Sequence, residues 1–161
     1  MVARLTDLRV QGRRCSFVVR GDQNFANALR RALLSDVQTV APSSVHVTEN
    51  TSCMPDEYIA HRIGMVPFRR LGDATGPASS VVASLDVSGR DVTCADIVSG
   101  DIVPCRGGTI MTLTASQELH LSISFEAGTG GTHSRFLPVG PVSYAVAADG
   151  VAMSFEAITD E

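Results

Sequence analysis

The sequence has no tryptophan and only two tyrosines and six phenylalanines in 161 residues, so its core must rest on Val, Ile, Leu and Ala. It has no basic surplus, because 13 basic side chains stand against 17 acidic ones, a formal net charge of −4. A freestanding nucleic-acid-binding domain carries a positive excess, so at most local basic pairs remain, at Arg13-Arg14 and Arg69-Arg70. The four cysteines, Cys15, Cys53, Cys94 and Cys105, form no C-x-x-C, which argues against a zinc ribbon. No segment approaches the roughly 18 apolar residues of a membrane span. The N-terminal MVARLTDLRV alternates polar and apolar residues and has no signal-like apolar stretch. There is no repeat and no low-complexity tract. What remains is a chain of single-domain length, or one small domain carrying an inserted second. Its hydrophobic share of 44% is ordinary for a globular protein. The expectation is a soluble protein of a reducing compartment with free thiols.

Leu5, Leu8 and Val10, then Cys15, Phe17 and Val19, flank the turn QGRR and predict a β-hairpin. In GDQNFANALRRALLSDV, the residues Phe25, Ala28, Leu29, Ala32 and Leu33 recur at helical spacing. Asp22 or Asn24 can cap that helix, and Pro42 ends any continuation. SSVHVTENTSC alternates as a strand. Residues 55–63 predict a short helix, with Pro55 in its first turn, Asp56 and Glu57 at its positive end and Gly64 just past its end. Residues 71–80 read as a loop by composition.

Beyond them the chain is mostly β. Val81, Ala83, Leu85 and Val87 share one strand face, and Leu119, Leu121, Ile123 and Phe125 give the clearest two-residue period. GTGGTHS reads as a flexible connection, and residues 140–158 as two strands around Asp149-Gly150. The sum is an α+β fold, with two early helices and an antiparallel remainder.

PDEYIAHRIGMVPF (55–68) places Glu57 four residues before His61, on one helix face. A metal site needs three or four ligands. Asp56 points about 100° away around the helix, and His46, His120 and His133 are scattered over strands and a loop. The first histidine of HExxH is missing. Acids at one helix end and a histidine at the other also suit the helix dipole with no chemistry at all. Cys94 and Cys105 lack an evident base, and the glycines of EAGTGGTHS contain no phosphate-binding motif. Arg30 and Arg31 fit either a solvated face or a protein interface, where arginine is enriched. The pattern contains no catalytic constellation and leans towards interaction.

Two segments carry a resemblance. NFANALRRALLSDVQTVAPSSVHVTENTSCMPDEYIAHRIGMVPF (24–68) resembles the signature of the α-like assembly subunit of multisubunit RNA polymerases. That family includes the archaeal α-like subunit, the third-largest subunit of eukaryotic RNA polymerase II and, more distantly, bacterial α. LTASQELHLSISFEAGTGGTHSRFLPVGPVSYAV (113–146) resembles its later segment, a QEL strand followed by H-x-[RK]-aromatic-x-P-V.

The resemblance implies an RNA polymerase α-like dimerisation domain, about 1–41 plus 138–161, interrupted by an inserted β-rich domain, about 42–137. It implies that the helix bearing Phe25, Asn27, Leu29, Arg30, Arg31 and Leu33 packs against a smaller α-like subunit and presents its arginines to the second-largest catalytic subunit. The helix bearing Asp56, Glu57, His61 and Arg62 would help dock the insert. His133, Arg135, Phe136 and Pro138 would form the return to the dimerisation domain, with Arg135 and Phe136 at a partner interface. No residue would be catalytic, and no cofactor is expected. Some relatives carry a cysteine cluster in the insert, whereas Cys53, Cys94 and Cys105 lack cluster spacing, so no metal is expected.

The sequence stops at FEAITDE, where the family continues into a long helix. Such compactness suits a reduced polymerase, for instance that of a large DNA virus. Other small polymerase subunits would be further partners, DNA would be met only through the complex, and no membrane is involved. The expected setting is intracellular, at sites of transcription. The alternatives are a metal-dependent enzyme using Glu57 and His61, and a regulatory binding module with an α-like fold.

Overall fold

The computed structural model describes residues 4–20, 22–71, 81–147 and 150–158. In chain order the first elements are β1 (Arg4–Gln11), β2 (Arg14–Arg20), α1 (Gln23–Ser35), β3 (Gln38–Asn50), α2 (Asp56–Gly64) and β4 (Phe68–Arg70). There follow β5 (Val82–Ser88), β6 (Asp91–Thr93), β7 (Ile102–Pro104), β8 (Thr109–Thr112), β9 (Glu118–Thr129), β10 (Ser143–Ala147) and β11 (Gly150–Glu156). Two helices against eleven strands among the described residues make the class α+β. The chain separates into two compact units, residues 1–39 with 129–161, and residues 40–128. None of the described helices is long and apolar enough to cross a membrane.

The first unit is a four-stranded antiparallel sheet, in the order β1-β2-β11-β10, with α1 on one face. Gly12 opens the two-residue hairpin loop with φ at 56°, a backbone state that glycine adopts without steric cost. Phe17, Val19, Val151 and Met153 are buried against Ala26 of α1, with Leu29 packed beside them. Asp22 caps α1, accepting from the Asn24 amide at 3.3 Å.

The helical face differs from the expected one. Ala26 is the residue fully covered, while Phe25 is 45% exposed and Ala28 is exposed. Periodicity marks every apolar position but does not say which side meets the chain's own sheet, and successive residues lie about 100° apart.

GTGGTHS is also not a loose connection. Thr129 ends β9, and the Gly131 amide donates to the carbonyl of Ser35 at 3.1 Å. Gly130 lies against the carbonyl of Leu34, where a β-carbon would collide. These glycines answer to close backbone approach.

In the second unit, β3, β9 and β5 form one sheet in that order. The period-2 pattern appears directly as burial. Ala83, Leu85 and Val87 pair in register with Ile123, Leu121 and Leu119, all on the buried face. Phe125 meets Phe68 edge-on at 4.9 Å. Ile59 and Ile63, four apart on α2, complete the cluster at 1% and 0% exposure.

Two sequence expectations shift here. The strand at Val45 and Val47 begins earlier, at Gln38, and contains Pro42, which an edge strand tolerates because it does not need every amide. Gly64 is the last residue of α2, with Met65 in the capping position. The pairs β4–β7 and β6–β8 were not expected, because strands of three or four residues are too short to show a period. The predicted loop at 71–80 lies, after Leu71, outside the described residues.

Candidate protein-interface residues

On α1, the Arg30 guanidinium is half-buried and donates through Nε and Nη2 to Asn27 Oδ1, at 3.2 and 3.1 Å. Asn27 and Arg30 are one helical turn apart, so the amide holds the guanidinium along the helix. Arg31 is exposed, and its carbonyl accepts from Ser35 Oγ at 2.7 Å. Leu33 is half-buried.

The first sheet has an uncovered margin at its edge strand β1. Leu5 lies opposite Val19 and Val10 opposite Cys15, so both share the helix-covered face. They nevertheless remain 63% and 65% exposed, with Leu8 between them at 67%. α1 packs over β2, β11 and β10 and leaves the opposite edge strand, β1, bare. By alternation Leu8 and Val10 share one strand face, whereas Leu5, three residues before Leu8, reaches the helix-covered face only through the register shift between Thr6 and Arg9. Nothing in a single strand's alternation distinguishes a covered edge from an open one.

Arg135 is half-buried over the Phe136 ring at 4.9 Å, and its amide donates to His133 Nδ1 at 3.1 Å. Phe136 departs from the interface expectation. It is 3% exposed, and its carbonyl accepts from Thr39 Oγ1 at 2.7 Å. Its ring belongs to the chain's own packing. A lone aromatic before Leu-Pro carries no sequence signal that separates these two roles.

In the second unit, α2 presents Asp56, Glu57, His61 and Arg62 on its exposed side. Asp56 accepts from Asn50 Nδ2 at 2.6 Å. Arg62 donates to the Tyr58 hydroxyl at 3.2 Å and to the carbonyl of Thr109 at 3.0 Å, which ties α2 to β8. Among the described residues, no group of three potential metal ligands includes Glu57 or His61. Burial pushes the Cys94 thiol up, away from the thiolate a nucleophile needs.

No family model matches the chain. It is similar to the DNA-directed RNA polymerase subunit Rpo3 of Natronomonas pharaonis, at 36% identity over 76% of this chain and 51% of that protein. It is similar to Rpo3 of Methanocaldococcus jannaschii at 29% identity over 87% of this chain and 73% of that one. A Tetrahymena thermophila protein named conjugation stage-specific protein is 30% identical over 84% of this chain and 57% of its own length. The chain thus spans about half to three-quarters of the length of these relatives. Over the matched stretch the chain is a homologue of the DNA-directed RNA polymerase subunits that Rpo3 represents.

Proposed function

We propose that the chain is a non-catalytic assembly subunit of a DNA-directed RNA polymerase. In this reading it pairs with a smaller α-like subunit and docks the second-largest catalytic subunit at sites of transcription within the cell. The first unit serves as the dimerisation domain and the second as the domain inserted into it. The observation that carries the reading is the set of large apolar side chains that the first unit leaves bare, Leu5, Leu8 and Val10 on β1 and Phe25 on α1, the helix that also bears two arginines. Exposed apolar anchors and arginine are what a protein partner covers. The names of the Rpo3 relatives supply the kind of partner.

Gentle purification from the native source, followed by identification of the bound chains, tests this. Large polymerase subunits and a smaller α-like chain are expected to come with it. A preparation with neither, or one holding an α-like partner but no large subunit, overturns the assembly role. The latter outcome would favour a separate regulatory module.

A further inference from the structure

The face of the second unit's sheet opposite its core gathers one imidazole and three carboxylates. Glu118 and His120 are two apart on β9, while Leu119 and Leu121 between and beyond them are buried. Their side chains therefore share the outer face. Asp86 of β5 lies opposite His120 in register, and its Oδ1 is 2.9 Å from His120 Nδ1. The other ring nitrogen, Nε2, is 3.5 Å from Glu118 Oε2. Glu49 of β3 completes the group, with one ligand atom from each of Glu49, Glu118 and His120 lying within 4.8 Å of one another.

The backbone beneath is fixed. The Glu118 amide donates to Thr51 Oγ1 at 2.7 Å, and the Thr51 amide donates back to the Glu118 carbonyl at 3.1 Å. The chain has no lysine, and among the described residues no arginine pairs with Glu49 or Glu118. Like charges held side by side on a sheet destabilise it, and a cation between them removes that cost.

We propose that Glu49, Glu118 and His120 Nε2 form a three-ligand site for a divalent transition cation of the zinc type, with water completing a tetrahedral shell. An imidazole with two carboxylates suits zinc better than calcium or magnesium, which prefer oxygen donors alone. Zinc bonds of about 2.0–2.2 Å place neighbouring donors roughly 3.3 Å apart. His120 and Glu118 already stand near that separation, and Glu49 is an exposed side chain free to turn inward. Asp86 is a positioning residue. It accepts the Nδ1 proton, fixes the tautomer that leaves Nε2 as the ligand, and makes that nitrogen more basic. The ion would clip β3 to β9. The cysteine spacing that speaks against a metal has no bearing on this site, because its ligands come from separate strands.

Titration of the tag-free full chain with zinc, followed by calorimetry, is the test, with cobalt(II) absorption to report ligand type. One ion per chain is expected, with a cobalt spectrum lacking a thiolate charge-transfer band. His120→Ala should abolish binding, Glu49→Gln should weaken it at least tenfold, and Asp86→Asn should weaken it about 10–100-fold. His120 and Asp86 lie on the outer sheet face and Glu49 is exposed, and circular dichroism checks that the variants remain folded. Absence of stoichiometric binding overturns the proposal. So does binding that survives His120→Ala, or a thiolate band assigning the ion to cysteine. None of these outcomes depends on polymerase assembly.

Discussion

Gly130 faces the carbonyl oxygen of Leu34, at the end of α1, with no room for a β-carbon between them, and Leu137 Cδ2 closes the other side at 3.0 Å from where that carbon would be. The obstacle is backbone, which cannot rotate away as a side chain can. Gly130→Ala should therefore destabilise the first unit by about 1–3 kcal/mol or more. Thermal unfolding of the purified variant checks this, and an unchanged melting temperature would show that the helix end can move aside.

Arg30→Glu combined with Arg31→Glu should leave the isolated chain folded, since Arg31 is exposed, the half-buried Arg30 bonds only the neutral Asn27 amide of its own helix, and surface charges contribute only about 0–1 kcal/mol each. Assembly with large polymerase subunits should fail, because reversed charge in an interface costs several kcal/mol. Circular dichroism and co-purification separate the two effects. Loss of the helical signal in the double variant would mean that the bond from Arg30 to Asn27 matters for the fold itself.

Asp96 accepts from Arg90 at 2.6 and 3.1 Å and from the Thr93 amide at 2.7 Å, closing the 3-10 turn Cys94–Asp96. The Arg90 guanidinium first, and the Thr93 amide second, hold its carboxyl well below the usual carboxylate range. A lowered folded value means stability that is present above the unfolded value, near 3.8, and lost as pH falls through the folded one. Wild-type protein should lose more stability than Asp96→Asn as pH drops below about 4. Denaturant melts across pH 2–7 decide it, with parallel curves for the two proteins counting against the bond.

Phe125→Ala should cost about 3–5 kcal/mol, because it removes a fully buried ring and the edge-on contact with Phe68. Urea unfolding measures the loss. The helical content of the first unit provides an internal reference for whether the two units melt together.

Alternation made much of the second unit legible. Leu119, Leu121, Ile123 and Phe125 repeat every two residues over a long strand, and burial follows that repeat without exception. Ile59 and Ile63 were equally readable as the inner side of a helix. The orientation of α1 was not, since Ala26 is too small to stand out beside Phe25, and the sheet it meets is assembled from both ends of the sequence. The candidate interface was readable in its charged half, Arg30 and Arg31, and hidden in its apolar half. Leu5, Leu8 and Val10 look like core until the strand order shows β1 at an edge. The cluster at His120 was invisible for a related reason. Glu49, Asp86 and Glu118 become neighbours only through strand pairing, and no spacing along the chain encodes it.

The edge strand β1 also carries an irregularity. Its register with β2 slips between Thr6 and Arg9, and Asp7 sits there with φ at 55°. Such a bulge twists an open edge and interrupts its row of donors and acceptors. An unassembled chain with three bare apolar residues along a flat edge would invite the same edge of another copy to add on, the first step towards aggregation. The kink at Asp7 makes β1 a poor template for that addition. If the chain has the proposed assembly role, this makes the period between synthesis and capture by a partner safer.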